Sequence, residues 1–147
     1  MFSARIAVCC LLFAVLAACT AGRMTAGGNA GGPSLEDLAG PTYYLVSMDG
    51  KNFEDANAPE LGFTREGRVF GSACNRFSGT VNIAHGTLTA KDAAFTRMAC
   101  RQPFLNDLER TLSGMLQNGA RASLDGRQLT LTRDDHILVY ALPSPKP

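Results

Sequence analysis

Ala122-Ser123-Leu124-Asp125-Gly126-Arg127-Gln128-Leu129-Thr130-Leu131-Thr132 reads as two short arms around a turn. Leu129 and Leu131 alternate with Gln128, Thr130 and Thr132, the period of two expected when one face of a strand is buried and the other is wet. Asp125-Gly126 supplies the turn, because glycine reaches the positive φ that tight hairpins require. Downstream, His136 to Leu142 gives a further strand, and Pro143-Ser144-Pro145-Lys146-Pro147 ends it, since proline has no N–H for a ladder.

The same grammar runs upstream. Thr42-Tyr43-Tyr44-Leu45-Val46 is β-branched and aromatic and is followed by Asp49-Gly50. Leu61 to Thr64 and Arg68 to Gly71 flank Glu66-Gly67, while Phe77 to Ile83 and Thr87 to Ala90 flank His85-Gly86. Repeated short strands with such turns argue an antiparallel sheet, curled into an open barrel. One segment departs from the pattern. Between Pro103 and Asn118, Phe104, Leu105, Leu108, Leu112, Met115 and Leu116 recur at three- and four-residue intervals, the stripe of an amphipathic helix. Pro103 suits its first turn and Gly119 the left-handed position past its end. Gly114 costs it about 1 kcal/mol against alanine, so the helix depends on packing its apolar face on the sheet. The expected class is α+β, mainly β: a curved antiparallel sheet closed by one amphipathic helix.

The amino terminus is of another kind. Arg5 precedes an apolar run from Ile6 to Ala18, which ends Leu16-Ala17-Ala18-Cys19. A basic start, a short apolar core and small residues before the cut make a secretory signal, and the run falls short of the ~20 residues of a spanning helix. A large aliphatic residue and two small ones before cysteine are what lipoprotein signal peptidase requires. Residues 1–18 are therefore expected to be removed and Cys19 to carry lipid. Residues 19–34, rich in Gly and Ala, make a flexible tether of roughly 20–23 Å, and the domain occupies 35–143. Ser34 caps a short helical turn at Leu35 to Leu38. In a diderm cell, Thr20 rather than aspartate after the lipidated cysteine directs the protein to the outer membrane, with its domain facing the periplasm.

Charge removes some partners. Of 14 Lys and Arg and 13 Asp and Glu, Arg5 leaves with the signal, so the mature chain is neutral. It has no electrostatic footprint for nucleic acid, and its membrane attachment comes from acyl chains. Cys9 and Cys10 also leave with the signal and Cys19 is acylated, so Cys74 and Cys100 remain. In an oxidising compartment an even remainder suggests a disulfide. Zinc held with His85 and His136 and a reactive thiol beside Arg76 or Arg101 are the competing readings. Zinc sites favour closely spaced cysteine pairs, and these lie 26 positions apart. There is no Gly-x-Ser-x-Gly elbow for a hydrolase. His85, His136 and Asp134-Asp135 read as solvated turn residues, Asn75 and Gly79 as positions that tolerate left-handed backbone, and Arg76 and Arg97 as exposed arginines. No catalytic residue, metal ligand or cofactor is expected.

Gly71-Ser72-Ala73-Cys74-Asn75-Arg76-Phe77-Ser78-Gly79 and Thr96-Arg97-Met98-Ala99-Cys100 resemble the META domain, and within it the HslJ-type heat-shock lipoproteins. The likeness continues through Leu88 to Lys91, along the helix and on to Gln128-Leu129-Thr130-Leu131, covering about Pro41 to Leu142. Members often carry tryptophan near the first strand; Tyr43-Tyr44 stands there instead. The resemblance implies a curved antiparallel sheet closed by one helix, and a link to heat shock and to novobiocin tolerance. It brings no catalytic residues. Two functions follow as expectations: a non-catalytic envelope module that binds another protein, or, by likeness to pilotin lipoproteins, a binder of an acyl chain or other small apolar ligand.

Overall fold

The computed structural model describes residues 31–144. The expected signal peptide, Cys19 and the first part of the tether lie outside them. The described residues open with helix α1 (Leu35–Leu38), where Ser34 and Asp37 form a reciprocal capping box. The strands that follow are β1 (Thr42–Met48), β2 (Lys51–Asn52), β3 (Glu60–Phe63), β4 (Arg68–Ser72), β5 (Arg76–Thr80), β6 (Asn82–Ala84), β7 (Thr87–Thr89) and β8 (Ala94–Phe95). Helix α2 (Pro103–Asn118) then leads to β9 (Ala120–Asp125), β10 (Gln128–Arg133) and β11 (His136–Ala141). All join in one antiparallel sheet of order β6-β7-β9-β10-β11-β1-β3-β4-β5-β8, with β2 added to β1. The fold is the expected one, mainly β with one helix packed on a curled sheet.

The curl follows from the connection at Val81. The sequence reads Phe77 to Ile83 as one strand, but the ladder breaks there, and β5 and β6 lie near opposite ends of the strand order. Strands consecutive in the chain can sit at opposite ends of a sheet only if those ends approach one another. Val81 is buried, and its N–H donates to the Gly67 carbonyl at 2.8 Å instead of to a neighbouring strand. A register shift between Leu45 and Ser47, where β1 meets β11, adds a further bend.

Turn chemistry sets the registers. Asp49-Gly50 and His85-Gly86 both have positive φ at the two central residues, as the tightest hairpins demand. The last glycine hairpin is offset by one residue from the expected turn. Asp125 pairs with Gln128, so the loop is Gly126-Arg127 with Gly126 at φ 55°. The ladder still places Leu129 opposite Leu124 and Tyr140, and Leu131 opposite Ala122 and Leu138, with both leucines fully buried.

Helix α2 has the predicted bounds. Leu108, Leu112, Met115 and Leu116 are buried against the concave face of the sheet. Each such side chain contributes roughly 1.5–3 kcal/mol relative to exposure. Gly119 ends the helix at φ 95° and ψ 136°, not in the expected left-handed helical well. Its N–H still donates to the Met115 carbonyl, and a Cβ there would press on Thr87 and Thr89 of β7. A second tie comes from the Ala90 N–H, which donates to the Leu116 carbonyl at 2.6 Å.

Candidate functional site

Asn75, only 5 % exposed, is the one buried residue with an amide or charged side chain among the described residues. It follows Cys74 in the bend between β4 and β5, where the Ala73 N–H donates to the Asn75 carbonyl. Its side-chain oxygen accepts the Met98 N–H at 2.8 Å and the Thr96 hydroxyl at 3.3 Å. Its side-chain nitrogen donates to the Met98 carbonyl and to Glu109 Oε1, each at 3.2 Å. The Asn75 N–H donates to Glu109 Oε2 at 2.8 Å, so the carboxylate grips the residue at both ends. A buried amide earns its place only when its donors and acceptors are met, and here they are.

This corrects the reading of Asn75 as a turn residue chosen for left-handed backbone. Its φ is not positive, and its role is to bind three segments together. Gly79 needs the same correction. Its φ is also ordinary, and a Cβ there would lie 2.7 Å from the Cα of Ala93, so close chain approach excludes a side chain.

Beside this hub Cys74 and Cys100 are joined as a disulfide, with Cα atoms 5.9 Å apart, inside the usual range. Glu109 is the third potential metal ligand of the neighbourhood, within 4.8 Å of both sulfurs. Bonded to each other, the cysteines offer no thiolate, and neither histidine belongs to this group. The residues do not suit zinc.

Between β8 and α2 the segment from Thr96 to Gln102 is thus fastened at several points, among them Asn75 at Met98 and the disulfide at Cys100. Loops held this firmly present their remaining side chains in a fixed geometry. Met98 is 76 % exposed, the most exposed of the large apolar side chains among the described residues, and Arg97 and Arg101 near it in the loop are exposed too. A trough of about 830 Å³ runs alongside, between β8 and the outer face of α2.

The two histidines stand elsewhere. His85 is an exposed turn residue at φ 50°, as expected. His136 is not simply solvated: it opens β11, and its Nδ1 lies 2.9 Å from Asp49 Oδ2. The other Asp49 oxygen accepts the Ile137 N–H at 2.7 Å. That backbone bond first, then His136, holds the Asp49 carboxyl below its ordinary range. A second cleft, about 460 Å³, lies between this turn and α2, with Met48 and Met115 at its base and Lys51, Arg110 and Arg133 among its charged lining. Arg133 is already engaged, donating to the Asn118 and Gly119 carbonyls at the end of α2. The interior that an acyl chain would enter is filled by the chain's own side chains, including Leu38, Phe63, Leu88 and Tyr140, all at most 1 % exposed.

Comparison with known proteins agrees with this architecture. The META domain family matches residues 36–144. The chain is 44% identical over 108 residues to the heat shock protein HslJ of Escherichia coli (strain K12), spanning 73% of this chain and 77% of that one. A protein solved by NMR is 42% identical, with a TM-score of 0.70 over 75% of this chain and 95% of its own. A Burkholderia xenovorans protein solved by NMR, 20% identical, shares the fold at a TM-score of 0.58 over 76% of this chain and 87% of its own.

Proposed function

The chain belongs to the META domain family and is HslJ-like over most of its length, and from that premise we propose that it is an envelope stress lipoprotein that acts by binding, not by catalysis. In this reading Cys19 carries the lipid, the tether holds the domain off the outer membrane on the periplasmic side, and the domain supports survival of heat and of novobiocin-type antibiotics. One observation carries the binding role. The polar cluster of Asn75, Glu109 and the disulfide is engaged in fastening an exposed loop that displays Met98, Arg97 and Arg101. Arginine and methionine are enriched in protein interfaces, and a loop ordered in advance avoids much of the entropic cost of docking. The partner expected is another envelope protein.

Complementation of a deletion strain tests this. His85→Ala and His136→Ala proteins should restore heat and antibiotic tolerance, because neither imidazole has a chemical role. An abundant His136→Ala protein without function would replace the binding role with chemistry at the His136–Asp49 pair. Loss of acyl mass in Cys19→Ala protein, and its release from outer-membrane fractions, checks the anchoring.

A further inference from the structure

We propose that the trough between β8 and α2 receives an extended, acidic segment of the partner protein, which adds to the sheet as a strand beside β8. This names the occupant of the binding module and rests on that reading.

β8 is the last strand in the sheet order, paired only with β5. The Thr96 N–H donates inward to the Arg76 carbonyl at 2.9 Å. Backbone groups in an antiparallel pair alternate between facing the partner strand and facing away. Phe95 and Arg97 therefore turn their N–H and C=O groups toward the open side. The lining of the trough agrees. A strand presents only alternate residues on either of its faces, yet Ala93, Ala94, Phe95, Thr96 and Arg97 all line this space. Consecutive residues line one space together when it lies along the strand's edge.

The opposite wall is the polar side of α2, from Pro103 through Asn106, Arg110 and Ser113 to Gln117. That length of helix is about 21 Å, which matches roughly six extended residues. A new strand there finds backbone partners on one side and polar side chains on the other, the requirement for recognition by strand addition.

Charge selects the occupant. Asp107 is paired with Arg110 at 3.1 Å, and both oxygens of Glu109 are taken by Asn75. Arg97 and Arg101 line the same trough, are exposed, and have no ion-pair or hydrogen-bond partner among the described residues. The unmet charge is positive, so carboxylate side chains on alternate positions of the incoming strand complement it.

The test uses the mature domain and fluorescent eight-residue peptides in which valine alternates with glutamate or with lysine. Fluorescence anisotropy should show the glutamate peptide binding at least tenfold more tightly than the lysine peptide. In Arg97→Glu/Arg101→Glu protein, whose unchanged melting temperature shows it folded, that preference should invert. N-methylation of alternate peptide amides should abolish binding, since it removes the donors a new strand needs. Equal binding of both peptides, indifference to the charge reversal, or full binding of the N-methylated peptide would each overturn the assignment. In that event, loss of stress tolerance in cells carrying the same double variant leaves the binding module standing with a partner of different chemistry. Retained tolerance removes both.

Discussion

Asn75 shows how much one amide can organise. Its side chain reaches Thr96, Met98 and Glu109, so truncation leaves Glu109 Oε1 and the Met98 backbone groups without these partners, while the backbone bond to Glu109 Oε2 stays. Hydrogen bonds to charged groups contribute about 1.5–3 kcal/mol, and orphaned buried groups add to the loss. Asn75→Ala should lower unfolding stability by about 2–4 kcal/mol in urea denaturation. A change below 0.5 kcal/mol would show the hub to be ornamental. The sequence marked Asn75 but assigned it a turn role, because its partner Glu109 is 34 positions away and nothing local links them. Asp49 carries a pH dependence. Its folded pKa is depressed, so the stability it contributes is present above its unfolded value, about 3.9, and is lost as pH falls through the folded value. Asp49→Asn protein should therefore lose stability less steeply than wild type below about pH 4. Identical acid limbs in thermal melts at stepped pH would count against the Asp49–Ile137 contact.

At the scale of elements, α2 was the most legible part of the chain, because its apolar stripe has one period over sixteen residues and begins and ends on Pro103 and Gly119. The two-residue strands β2 and β8 were not legible, since so short a run carries no period. The break at Val81 was hidden for a different reason: Phe77 to Ile83 is continuously strand-like, and only the closing of the sheet decides where it divides. The helix allows two opposed substitutions. Leu112 is fully buried, and Leu112→Ala should cost about 2–5 kcal/mol through the cavity left behind. Gly114 has open space where a Cβ would stand, so Gly114→Ala should stabilise by up to about 1 kcal/mol. Melting temperatures moving in opposite directions for the two variants are the expected result; a fall in both would mean that the cleft beside Gly114 does not tolerate a methyl group.

For the whole molecule, the disulfide joins the strand side of the domain to the start of α2 across 26 positions. Cysteine counting suggested this pair, but the Asn75–Glu109 clamp beside it depends on long-range folding and left no trace in the spacing. Closing such a loop is worth about 3.5 kcal/mol in the chain-entropy model. Cys74→Ser and Cys100→Ser should lower the melting temperature by similar amounts, with the double variant little worse than either. Free thiols titrating in the unreduced native protein would contradict the bond. Beyond stability, the proposed binding role places the molecule's work in its clamped loop and the trough beside it. The most direct measurement is survival at high temperature of a deletion strain expressing Arg97→Glu/Arg101→Glu protein, with envelope abundance matched to wild type. Sensitivity equal to that of the deletion strain, at full abundance, is expected. Wild-type survival with those two charges reversed would contradict it.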